Sequence, residues 1–224
     1  MQYQTYDVTD LLKNGANTIT AELADGWYRG SCGAWGLRNQ YGKQTNLIVQ
    51  LEIEKTDGTR QTVVTDGTWA WSNDGALRRA DNQDGEIVDA RLAPSYSKKA
   101  RVTKHKATLA ASNNVPVTEH ETFKPTVITT PSGKKVLDFG QNIAGYIKFS
   151  IDAKAGQTLK LRFGETFDKD GEFTQKNIQC ATKKRQTPLQ EVIYTAKQGR
   201  NEYKTKFAIF GFQYVLVEGD IDWN

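Results

Sequence analysis

Apolar and polar residues alternate along most of this chain, the period expected of strands that bury one face. Thr18 to Leu23 reads as one strand, and Leu47 to Glu54 as a longer one with apolar side chains at each odd position from Leu47 to Ile53. Asp57-Gly58 supplies the positive φ angles of a tight turn, so Arg60 to Val64 is predicted to pair back on it. Asp66-Gly67 marks another turn, ahead of Thr68 to Trp71. The same period returns in Val127-Ile128, Lys135 to Phe139, Gly145 to Ile151, Thr158 to Phe163, Glu191 to Thr195 and Phe212 to Val217. Helix signals are confined to a single turn at Val8 to Leu12, with Asp7 or Thr9 as its cap and Asn14-Gly15 as its stop. Residues 98–125 are polar and contain Pro116 and Pro125, which marks a partly extended connecting stretch. The pattern predicts an all-β fold of two antiparallel β-sandwiches, about 100 residues each, over 1–97 and 126–220.

Composition removes several classes. With 38% apolar residues, 10% aromatic residues and a net charge of +4, the 224-residue chain lies outside the compositional range of disordered proteins. No apolar run approaches the roughly 20 residues of a membrane helix, so no membrane partner is expected. The opening Met1 to Asp10 is polar and lacks the apolar core of a signal peptide. Cys32 and Cys180 fit neither a disulfide framework nor a zinc spacing; they read as two free, buried thiols in a reducing compartment, which makes the expected localisation cytoplasmic.

Charge is uneven: residues 1–100 carry 11 basic and 13 acidic side chains, residues 101–224 carry 19 and 13. The one dense basic cluster, Lys183, Lys184 and Arg185, reads as a solvated loop, so no nucleic-acid partner is expected. His105 and His120 fall in the connecting stretch with no cysteine nearby, which supports neither a zinc site nor a catalytic triad.

Five segments carry a specific resemblance. Tyr6 to Leu12 with Gly15-Ala16-Asn17 is similar to the "YDVT-LL-GxN" opening of the amino-terminal domain of bacterial α-L-rhamnosidases, glycoside hydrolase family 78. Asp25 to Gly30 resembles that domain's "GWYRG", and Asp84 to Arg91 its "DGExYDAR". Leu137 to Tyr146 resembles the "DFGQNxxG" of the family's concanavalin-like domain, and Phe207 to Val215 its "FxxxGFRYV". Val88 stands where the family has Tyr, and Gln213 where it has Arg.

The resemblance implies two jelly-roll or concanavalin-like sandwiches. It also implies that a β-rich segment precedes the chain and that a catalytic (α/α)6 barrel follows it. The family's acid and base carboxylates lie in that barrel, so none is carried over to this sequence. The expected role is an ancillary, non-catalytic part of an enzyme that hydrolyses terminal α-L-rhamnosides, with the catalytic barrel and rhamnosylated glycans as partners.

Two clusters offer chemistry of their own. Asp81, Asp84, Glu86 and Asp89 gather carboxylates in nine residues. An inverting glycosidase needs two carboxylates about 6.5–9.5 Å apart across a cleft, and nothing in the spacing puts any pair there. A solvated acidic turn is the plainer reading, and Asp81, Asp84 and Glu86 as calcium ligands the functional one, since calcium takes six to eight oxygens. The second cluster places Trp27, Tyr28, Trp35 and Tyr41 among glycines with Asp25, Arg29, Arg38 and Asn39. Rings that take a sugar face beside groups that take its hydroxyls compose a carbohydrate site. Trp35, flanked by Gly33 and Gly36, is expected to be exposed, whereas Trp27 leans toward the core. The resemblance adds rhamnose-binding modules that hold calcium in the sugar site. The alternative function is therefore a calcium-assisted carbohydrate-binding module using Asp25, Trp27, Trp35, Asn39 and Asn82.

Overall fold

The computed structural model describes residues 1–104, 107–181 and 186–222. Eleven strands organise it: β1 (Gln50–Glu54), β2 (Arg60–Val64), β3 (Leu77–Asp81), β4 (Gly85–Asp89), β5 (Thr126–Thr129), β6 (Lys135–Gly145), β7 (Lys148–Ala153), β8 (Thr158–Gly164), β9 (Glu191–Thr195), β10 (Gly199–Lys204) and β11 (Phe210–Gly219). Four further two-residue pairings join Gln2–Tyr3 to Ala110–Ala111, Ala70–Trp71 to Lys98–Lys99, Thr166–Phe167 to Phe173–Thr174, and Cys180–Ala181 to Gln186–Thr187.

Seven strands form the main sheet in the order β3-β4-β9-β8-β11-β6-β5, and β7 pairs with β10 as a second layer. In β8 the odd positions Leu159, Leu161 and Phe163 are buried, while the even positions carry Lys160 and Arg162. The odd side chains meet Val192, Tyr194, Phe210, Phe212 and Val215 in the core, against Ile151 and Phe149 of the second layer. Phe163 packs edge-on against Phe212 at 4.9 Å between ring centroids within the main sheet, and Phe149 packs against Tyr194 at 5.2 Å across the two layers. Buried Asn201 accepts from the Tyr194 hydroxyl at 3.1 Å and from Lys197 N at 3.0 Å, and donates to the carbonyls of Lys197 and Gly199. That closes the turn between β9 and β10 without an unpaired polar group.

β3 and β4, expected in the amino-terminal sandwich, are the last two strands at one end of this sheet, β3 at its edge. β4 runs parallel to β9, with Glu191 opposite Gly85 and Thr195 opposite Asp89, where the sequence pattern predicted antiparallel pairing. A parallel pair needs a long crossover, and here the rest of the sandwich supplies it. Gly85 makes the approach possible: its φ is +99°, and a Cβ there would lie 1.9 Å from Glu191 O.

The amino-terminal region is open by comparison. The hairpin at Asp57-Gly58 forms as expected, with β1 starting at Gln50. The single turn expected near Val8 is a 3-10 turn at Thr9–Leu11, and Asp7 Oδ1 accepts from Thr9 N at 3.0 Å. Thr18 to Leu23 forms no strand, because no neighbouring strand offers it a ladder. A further helical turn, α1 (Gly26–Arg29), was not foreseen. The two thiols are free, yet neither is buried: Cys32 is half-buried and Cys180 exposed. Lys183, Lys184, Arg185 and His105 lie outside the described residues. Among the described residues, no helix is long and apolar enough to cross a membrane.

Candidate functional site

The loop between β3 and β4 is the joint between the two halves of the chain. Asp81 is fully buried, and its Oδ1 accepts from Gln83 N at 3.0 Å and Asp84 N at 2.6 Å, an Asx-type closure of the loop. Its Oδ2 faces the amino-terminal side, accepting from Ser31 N at 3.3 Å and from Arg38 at 3.4 Å. Asp84 reaches both ways: Oδ2 accepts from the Ser31 hydroxyl, and Oδ1 from Thr187 Oγ1 at 3.1 Å and Leu189 N at 3.2 Å. Glu86 is fully buried and cradled by the backbone N–H groups of Lys206 (2.9 Å), Phe207 and Ala208 (3.1 Å) and by the Tyr203 hydroxyl. Burial and this bond hold the Tyr203 phenol far above its ordinary pKa.

Such an arrangement answers both questions raised by the acidic loop. The three carboxylates are neither solvated nor gathered around a common centre, and their oxygens face N–H and O–H donors. Among the described residues no three His, Cys, Asp or Glu side chains group as metal ligands. Asp81, Asp84 and Glu86, expected as calcium ligands, each accept hydrogen bonds from N–H and O–H donors in this arrangement.

The sugar candidates separate into joints and exposed rings. Asp25 is half-buried and paired with Arg29 at 2.8 Å and Arg38 at 2.6 Å, and its N donates to Ala80 O at 3.0 Å. Arg38 thus connects Asp25 to Asp81 and anchors α1 to the joint. Asn39 is exposed, with a φ of +60°, and its N donates to Arg29 O. Trp27 corrects the expectation of a core residue: it is 53% exposed. In the amide orientation that satisfies both bonds, Asn82 accepts from Trp27 Nε1 and donates to Phe207 O, each at 2.6 Å. Trp35 is exposed as expected, at the tip of a tight turn closed by paired backbone bonds between Cys32 and Leu37. Gln83 braces that turn by donating to Gly33 O at 2.8 Å. Tyr41 is also exposed. The structure therefore brings Asp25, Asn82, Asp81, Asp84 and Glu86 to one interlock, and presents Trp35 outside it.

Sequence reasoning missed Ser31, Gln83, Thr187 and Tyr203, whose roles depend on contacts 50 or more residues away. It also missed that two motif segments touch each other: Asp138 lies opposite Tyr214, and Gln213 donates to Asp138 Oδ1 at 3.0 Å.

A seven-stranded sheet backed by a second layer, with its β3–β4 end interlocked with the amino-terminal half, defines an all-β, concanavalin-like protein. Two family patterns cover the chain: the α-L-rhamnosidase N-terminal domain matches residues 1–130, and the bacterial α-L-rhamnosidase concanavalin-like domain matches residues 128–222. The chain belongs to the bacterial α-L-rhamnosidase family. It is 34% identical to an α-L-rhamnosidase of Streptomyces avermitilis, over 98% of this chain and 22% of that protein. It is 33% identical to one of Formosa agariphila, over 96% and 24%. The crystal structure of the Streptomyces avermitilis α-L-rhamnosidase complexed with L-rhamnose superposes over all of this chain and 22% of that one, with a TM-score of 0.87 at 32% identity. That of the Aspergillus terreus enzyme gives 0.77 at 29%, covering 97% of this chain and 26% of its own. The chain spans about a quarter or less of the curated relatives it matches.

Proposed function

We propose that the chain is the ancillary, non-catalytic β-sandwich region of an α-L-rhamnosidase, bracing a catalytic domain that acts on terminal α-L-rhamnosides. The observation that carries this reading is the state of the acidic loop. Asp81, Asp84 and Glu86 are at most 2% exposed and committed to hydrogen bonds that hold the fold. A general acid and base must instead flank a substrate and a water molecule. The purified chain is expected to release no aryl group from an aryl α-L-rhamnoside. Turnover that disappears in Glu86→Gln would overturn the reading. Exchanged for the matching region of the Streptomyces avermitilis enzyme, the chain is expected to yield an active, cooperatively melting chimera.

One observation favours carbohydrate recognition as a second role: Trp35 and Tyr41 present large rings to solvent beside a braced turn. Titration with L-rhamnose, with and without calcium or EDTA, tests it. The geometry of the carboxylates favours binding that is indifferent to calcium, and loss of the tryptophan fluorescence change in Trp35→Ala is expected.

A further inference from the structure

The edge of β9 and the segment after β10 compose a surface on which β3 and β4 sit much as an added peptide strand does. Main-chain bonds set the register. β4 runs alongside β9 from Gly85 opposite Glu191 to Asp89 opposite Thr195, and Gln190 N and Glu191 N extend the ladder by donating to Gln83 O and Asp84 O, each at 3.2 Å. Alternate side chains then find receptors of their own, as in recognition by strand addition. Val88 enters the apolar core, and Glu86 accepts from the successive N–H groups of Lys206, Phe207 and Ala208, a nest of the kind that holds anions. Asp84 accepts from Thr187 and Leu189, and Arg79 pairs with Glu191 at 3.3 Å. Gly85, lying against Glu191 O, leaves no room for a side chain.

The covalent connection adds little to this contact. Residues 113–122 are exposed throughout and belong to no strand, with Val115 and Val117 at 89% and 80% exposure. Asn113 and Asn114 bond Gln2, whose strand also pairs with Ala110–Ala111, so the chain up to residue 114 is tied to the amino-terminal half. Beyond it, Glu119 pairs with Lys204 and accepts from the Tyr146 hydroxyl, which ties that end to the carboxy-terminal half. Between these anchors the backbone carries no ladder, so opening it breaks none of the bonds that seat β4 on β9.

We propose that the β9 edge and the amides of residues 206–208 form a recognition surface that holds the β3–β4 hairpin when the hairpin belongs to a separate polypeptide, the connection at 113–122 acting only as a tether. The partner it fits is an extended segment carrying Asp, Gly and Glu at the places of Asp84, Gly85 and Glu86. The test uses the whole chain with the recognition sequence of a site-specific protease in place of residues 113–118. After cleavage the two pieces are expected to co-elute in gel filtration, with a Kd of about a micromolar or tighter. Glu86→Gln turns an acceptor toward the amides into a donor, and is expected to weaken the cleaved pair at least ~10-fold. Thr187→Val keeps the side-chain shape and removes one hydroxyl; an expected loss of about fivefold decides the matter where the Glu86 variant does not fold. Lys206→Ala removes only an exposed ion pair with Glu22, and is expected to change the Kd less than about twofold. Pieces that separate at ~10 μM, or that hold together equally well in Glu86→Gln and Thr187→Val, would overturn the proposal. A larger loss in Lys206→Ala than in Thr187→Val would overturn it too, by placing the attraction in surface charge.

Discussion

Residues 1–75 and residues 126–222 alternate apolar and polar side chains in much the same way, yet only the second region has a core. Every buried large apolar side chain lies at Val88 or beyond, whereas in residues 1–75 the buried positions are Gly30, Ser31 and Gly36. Ile19 and Leu23 show the contrast, because a sequence that reads as a strand leaves both more than 40% exposed where no neighbour completes the ladder. Alternation specifies which face a strand would bury; a partner decides whether the strand exists.

The contrast can be tested from its strongest point downward. Phe163→Ala, in the centre of the aromatic core, is expected to cost about 3–5 kcal/mol in urea denaturation followed by circular dichroism. A loss below 1 kcal/mol would mean that the core is not close-packed. Glu86→Ala leaves the amides of Lys206, Phe207 and Ala208 without their buried acceptor and is expected to cost about 2–3 kcal/mol. The same change should speed hydrogen exchange at those amides, and unchanged exchange would show that Glu86 does not couple the two halves. Ile19→Asp, in the open segment, is expected to stay within about 0.5 kcal/mol of the parent, and a larger loss would reveal packing in that segment.

The smallest effect is that of acid. Hydrogen bonds from Thr59 to Asp57, from Thr68 to Asp66 and from Thr158 to Asp220 hold these carboxyls below the ordinary carboxylate range. A depressed carboxylate contributes stability that is present above its unfolded pKa and lost as the pH falls through its folded value, so each contact weakens only below about pH 4. All three groups are exposed, and the acid melt should be shallow. Mutating Asp220, which follows β11 and bonds Thr158 at the start of β8, should alter it in the packed region, and mutating Asp57 should alter only the β1–β2 hairpin.

Local chemistry was legible in the sequence wherever it decided the outcome alone. The Asp57-Gly58 hairpin, the turn at Thr9–Leu11, the alternation of β8 and the exposure of Trp35 follow from neighbours within a few residues. The family resemblance was legible too, since its motifs are short strings. What the sequence could not yield was the meaning of the acidic loop. Whether Asp84 meets water, calcium or a threonine depends on Ser31 and Thr187, which lie 53 and 103 residues away. Trp27 was misread for a related reason: its indole N–H finds Asn82 at the surface, so the ring need not enter the core to satisfy its polar edge.

The parallel pairing of β4 with β9 bears on how the chain is made. Glu86 must wait for amides 120 to 122 residues further along, and at about 5–20 residues per second that is a delay of roughly 6–24 s after it leaves the ribosome. During that interval Asp84 is without Thr187 and Leu189 and Glu86 without any of its donors, while Ser31 and Arg38 are already at hand for Asp81. Synthesis order therefore makes the last strands of this chain the step that completes its beginning.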